Sequence, residues 1–225
     1  MKRVMIIAIF LLLAAVGPNI FPAAEAGYGT LSSFAVHLLL PAIAVLIVLA
    51  LAVRRRQPDL WRAVVRGAAA GAVATVALEV VRLIGYRMGY MPGNLPRLMG
   101  VLLLNRFALG PNLASDLAGW AYHFWNGASF GIIYALVVGS RRAWAGPVYG
   151  LAVGVGFMLS PVVTALGVGF FGLQFSIGFP VTVLLAHAAF GLALGWLAQR
   201  WTHVPDSPAF TTLRACMLPH TAVER

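Results

Sequence analysis

Five ionisable side chains stand deep inside apolar stretches of the chain: His37, Glu79, Arg82, His123 and His187. Such groups are costly in hydrocarbon, so each is a candidate for chemistry. Neutral imidazole ligates haem iron as well as copper, zinc or iron ions, and a carboxylate near an arginine can form a polar relay. Two of the histidines recur in one pattern. His123-Phe-Trp-Asn-Gly127-Ala-Ser-Phe-Gly131 and His187-Ala-Ala-Phe-Gly191-Leu-Ala-Leu-Gly195 both read H-x3-G-x3-G. Spacing of four places each histidine and its glycines on one stripe of a helix.

These residues admit several chemistries. In the first, His123 and His187 are axial ligands of haem b or a related tetrapyrrole, with Gly127 and Gly191 leaving room for the flat macrocycle. That arrangement resembles membrane b-type cytochromes in architecture, with no family motif behind it. A second uses His37, His123, His187 and Glu79 as metal ligands, although no two of them share a helix at ligand spacing. A third is a transport or proton path. Glu79 and Arg82 are three apart and can pair, and Ser160-Pro161 breaks a span near the same level, freeing backbone carbonyls. The remaining reading is structural: the histidines hydrogen-bond across a bundle, and the protein is a non-catalytic or accessory membrane subunit. There is no Walker loop, G-x-S-x-G or H-E-x-x-H, and six Asp and Glu in the whole chain argue against a paired-carboxylate hydrolase.

The elements that position these residues follow from composition. Of 225 residues 61% are hydrophobic and 10% charged, against about 25% charged in a soluble domain. An all-α integral membrane protein is the expected fold class, with the lipid bilayer as solvent. The net charge of +10 does not indicate nucleic acid, because the arginines flank apolar runs as topology signals. One cysteine, Cys216, excludes a disulfide framework.

Six transmembrane helices are predicted. Residues 1–26 form either the first of them, to about Phe21 with a kink near Pro18, or a cleavable signal peptide ending at Ala24-Glu25-Ala26, which leaves five. The second runs from Phe34 to Val53 within a 27–62 segment closed by Arg54-Arg55-Arg56. The others span about Val64–Gly85, Leu117–Gly139, Ala145–Leu166 (broken at Pro161) and Ile177–Ala198. An external loop over 86–116 carries a short apolar helix near Leu98–Leu104. Lys2, Arg3, Arg54, Arg55, Arg56, Arg62, Arg66, Arg141, Arg142 and Arg200 fall on one side, and Arg82, Arg87, Arg97 and Arg106 at or near the other. The positive-inside rule then puts both unprocessed termini in the cytoplasm. Arginine in place of lysine everywhere but Lys2, with abundant Ala, Gly, Val and Leu, suggests a G+C-rich bacterial genome, and the expected location is a bacterial inner membrane.

Repetition goes beyond the histidines. Gly67-x3-Gly71 precedes the first copy and Gly146-x3-Gly150-x3-Gly154 the second, so residues 63–200 read as two tandem helical hairpins, 63–142 and 143–200, in parallel orientation. Small-xxx-small stripes of this kind let helices approach closely in a bilayer. Counting ~1.5 Å per residue from the flanking arginines puts Glu79 and His187 ~20 Å deep, and His37 and His123 ~25–27 Å. All four then lie in the outer half of a core ~30 Å thick. The tail, 201–225, has three prolines, Pro205, Pro208 and Pro219, and no apolar period, and is expected to be disordered or loosely bound at the surface. His203 and His220 lie there, outside any site. The expected partners are other membrane subunits or a second copy of the chain.

Overall fold

The computed structural model describes residues 2–140, 143–204 and 206–217. Arg141, Arg142, Pro205, Pro219 and His220 lie outside the described residues. The protein is all-helical, 78% helix, with no strand among the described residues. Among the described residues four helices are long and apolar enough to cross a membrane: Arg3–Glu25, Leu31–Val53, Pro58–Arg87 and Gly178–Trp201.

In chain order, α1 is Lys2–Glu25. The second span is composite: α2 (Leu31–Phe34), a π-helical turn (Ala35–Leu39) and α3 (Leu40–Val53). There follow α4 (Pro58–Arg87), α5 (Leu95–Leu103), α6 (Leu113–Val137), α7 (Ala145–Met158), α8 (Pro161–Ala165), α9 (Gly178–Trp201) and α10 (Pro208–Met217). Prolines start several of these helices. Pro58, Pro96 and Pro161 sit in the first turn, where a missing N–H costs nothing. The Ala145–Leu166 span is broken as expected: α7 stops at Met158 and α8 begins at Pro161.

Two helix pairs form the centre, α4 with α6 and α7 with α9, and α4 also packs along α9. The four helices therefore run in the order α6, α4, α9, α7. Both pairs close on glycine. A Cβ on Gly71 would stand 2.1 Å from the Gly127 carbonyl oxygen, and one on Gly131 2.1 Å from that of Gly67. On the other side, Cβ atoms on Gly146 and Gly191 would each stand 2.1 Å from the other's carbonyl oxygen. Glycine is required at these positions because backbone meets backbone, and that closeness maximises dispersion contacts where no hydrophobic drive operates between helices.

The N-terminal helix belongs to this core. Pro18 and Pro22 lie inside α1 without ending it, so the helix runs past Phe21. Phe10 and Ala14 are fully buried against α3, α4 and α6, and the Tyr122 hydroxyl donates to the Gly17 carbonyl at 2.7 Å.

The tail differs from its expectation. Residues 208–217 form α10, started by Pro208 at the first helical position. The Ser207 hydroxyl donates to the Leu136 carbonyl at 3.0 Å, Ser140 Oγ to that of Val204 at 2.9 Å, and Arg3 Nε to Thr212 Oγ1 at 3.1 Å. These bonds fasten the segment to α6 and α1. Apolar contact adds to these bonds, with Val204 and Ala209 packed against the cluster formed by α1, α3, α4 and α6.

Candidate functional site

The glycine contacts hold α6 against α4 and α7 against α9, leaving α6 and α7 to face each other across a cavity of about 520 Å³. Its wall is drawn from α1, α4, α5, α6, α7, α8 and α9. One end is closed by aromatic contacts: Tyr149 Oη of α7 donates to the Phe130 carbonyl of α6 at 3.0 Å. The Phe130 ring also meets those of Tyr149 and Phe190 edge-on at 6.5 Å.

His123 and His187 both lie on the cavity wall, from opposite hairpins, together with Arg82, Gly127, Ser160 and Pro161. Their surroundings differ. His123 is engaged: its Nε2 is 2.9 Å from Glu79 Oε1, with the oxygen off the line of a straight ring N–H bond. Glu79 in turn holds Arg82 one turn along α4, with Arg82 Nε donating to Oε1 at 2.8 Å and Nη2 to Oε2 at 2.6 Å. Side-chain exposure is 9% for Arg82 and 12% for Glu79, so this is a buried bidentate pair with a histidine on its flank. Bidentate geometry is what makes a buried pair tolerable, because each charge is both neutralised and hydrogen-bonded.

His187 has no carboxylate. Its Nδ1 lies 2.8 Å from the Val183 carbonyl oxygen. Only a ring N–H can bond there, so the proton sits on Nδ1 and the Nε2 lone pair remains available. The ring stacks on Phe157, with centroids 6.2 Å apart and planes 22° apart. Gly154 makes room for it, since a Cβ there would stand 2.9 Å from His187 Cβ.

The other predicted residues are placed as follows. His37 is exposed on the π-helical turn, with Nδ1 2.9 Å from the Ser33 carbonyl oxygen, and is not on the cavity wall. The metal set of His37, His123, His187 and Glu79 is accordingly not assembled, and among the described residues no three His, Cys, Asp or Glu side chains converge. Gly191 is occupied by the backbone of α7 and does not line the cavity; Gly127 does, but a Cβ on it would stand 1.8 Å from Thr75 Oγ1. Both glycines serve the helix contacts. Ser160 and Pro161 do line the cavity, yet the Ser160 backbone N–H and hydroxyl both donate to the Phe157 carbonyl, at 3.0 and 2.6 Å. The break therefore satisfies that freed acceptor itself.

Sequence reasoning passed over Asn126, which lines the cavity with an unpartnered buried Oδ1, and Pro18 and Pro22 of α1. The signal for Asn126 was present: a polar residue in an apolar span, one helical turn after His123. No comparable sign marked α1, whose contribution depends on where it docks.

No curated protein and no solved structure matches the chain. Residues 61–209 match the family of unknown function DUF6789. The match takes in both glycine-sealed helix pairs and every cavity residue named above except those on α1. The chain belongs to the DUF6789 family, a family of unknown function.

Proposed function

We propose that the protein is a small non-catalytic membrane subunit that holds a hydrophobic guest in the cavity between two repeated hairpins. What carries this reading is that both recurring histidines reach the same cavity. Its volume of about 520 Å³ is in the ordinary range for ligand sites, about 300–1,000 Å³. The duplication is supported by matching contacts. With His123 set against His187, Gly71 corresponds to Gly146 and Glu79 to Gly154, and each such pair stands at the same place beside its partner helix. Divergence at one position, carboxylate against glycine, separates the two histidines into an engaged one and an available one.

In its sharpest form the guest is haem b or a related tetrapyrrole. His187 offers a free Nε2, oriented through Nδ1, and second-shell fixing of this kind is usual for ligating histidines. His123 would have to leave Glu79 to act as a second ligand. Purified from a haem-producing host, the protein is expected to show a Soret band and a reduced α-band that are lost in His187→Ala and weakened less in His123→Ala. A featureless visible spectrum from haem-replete cells overturns the tetrapyrrole form. A transporter is the second reading. It is favoured by Ser160, Pro161 and Arg82 lining the same cavity, with Glu79 bonded to Arg82, and opposed by the self-satisfied helix break.

The topology that goes with this reading is six spans in a bacterial inner membrane with the C-terminus cytoplasmic, beside other subunits or a second copy. In it α1 is retained as the first span, supported by its buried Phe10 and Ala14. Intact-mass spectrometry is expected to find residues 1–26 present; loss of mass up to Ala26 would return them to a signal peptide.

A further inference from the structure

Arg82 carries unspent donors. A guanidinium has five N–H groups in a fixed fork, and Glu79 takes the one on Nε and one of the two on Nη2. Nη1 is buried and has no partner, although the residue is only 7% exposed and stands on the cavity wall. An unpaired buried donor costs free energy, and native structures rarely leave one. Inside a bilayer no bulk water is at hand to supply the missing acceptor. A guest in the cavity can supply it.

The rest of the wall says what the guest looks like. Phe21, Met99, Phe130, Phe157, Val183 and Phe190 give an apolar lining, suited to a hydrocarbon or macrocycle body. The polar groups on the wall include the Arg82 guanidinium and the His123 ring, which share the one carboxylate of Glu79, and the Asn126 amide. An anionic oxygen completes that set better than a neutral one, because charge-assisted hydrogen bonds are roughly twice as strong.

We propose that the cavity binds an amphiphile through a carboxylate docked on Arg82 Nη1, with the apolar body lying between α6 and α7; this rests on the reading of the cavity as a guest site. Two sources present that chemistry, a long-chain fatty acid and the propionate of a tetrapyrrole. The test uses the full chain in phosphatidylcholine nanodiscs. Bromine-labelled stearate and stearyl alcohol are titrated against saturable quenching of tryptophan fluorescence, and haemin and its dimethyl ester against the Soret band. The expected result is that an acid binds at least tenfold more tightly than its uncharged analogue, and that Arg82→Gln abolishes the preference while Arg82→Lys keeps part of it. If the preference appears with haemin, the carboxylate is a propionate; if only with stearate, it is a fatty acid. Equal affinities for acid and analogue overturn the Arg82 proposal and leave the cavity reading standing. No saturable binding of any of the four overturns both. Should Arg82→Gln fail to fold, the acid-against-analogue comparison on the unaltered chain decides alone.

Discussion

Alanine at Gly71 or at Gly191 is expected to destabilise the bundle by about 1–3 kcal/mol, the range for overpacked interiors, while alanine at Gly156 is expected to be neutral or stabilising. By intrinsic propensity all three should gain, since alanine exceeds glycine by about 1 kcal/mol in a helix. Space decides the sign. The Cβ added at Gly71 would lie 2.1 Å from the Gly127 carbonyl oxygen, and that at Gly191 2.1 Å from the Gly146 oxygen. Neither obstacle is a side chain that can turn away. The helices must part, and each ångström of separation forfeits dispersion contacts along the whole pair. Gly156 has nothing within 4 Å and so keeps its propensity gain. Unfolding midpoints in mixed detergent micelles measure all three. If Gly71→Ala unfolds with Gly156→Ala, the close backbone contact between α4 and α6 is wrong.

The two pairs should also answer separately. Gly71→Ala loosens α4 on α6, whereas Gly191→Ala loosens α7 on α9, and the cavity lies between these pairs. A guest bound there is expected to raise the midpoint of both variants, because ligand binding to the native state adds to stability by mass action.

The sequence made the glycine contacts legible because four-residue spacing assigns a helix face without any tertiary knowledge. That His123 and His187 stand at a common level was legible too, and one cavity receives both. Direction around the helix axis was not. His37 was grouped with His123 by depth, yet it is exposed and bonded to its own helix, where the π-helical turn over Ala35–Leu39 disturbs the facing that α-helical periodicity assigns. Glu79 was paired in expectation with Arg82, three residues away, and that local pair is present. Its contact with His123 depends on how α4 and α6 are rotated against each other, which follows from which glycines interlock. The three prolines of the tail count against a helix only where they fall inside one, and Pro208 stands at the first position of α10.

Leucine at Glu79 is expected to be the most destabilising single change in the site, by about 3–5 kcal/mol, the usual cost of stranding one partner of a buried ion pair. Glu79 binds two residues from two helices, Arg82 at 2.6 Å and His123 at 2.9 Å. Without it the guanidinium keeps its charge, since arginine does not deprotonate in proteins, and at 9% side-chain exposure it has little water to recover. The double variant Glu79→Leu/Arg82→Leu removes both charges and is expected to regain most of the loss, as buried pairs replaced by apolar residues often do. A double-mutant cycle in mixed micelles gives the coupling between the two. Near-zero coupling would mean that water or lipid headgroups already reach Arg82 and that this pair within α4 adds nothing to stability, leaving the Glu79–His123 contact as the link from α4 to α6. Strong coupling would make the pair structural while leaving Nη1 unsatisfied, because the carboxylate that stabilises Arg82 occupies its other edge. Stability and guest binding therefore draw on different atoms of one residue.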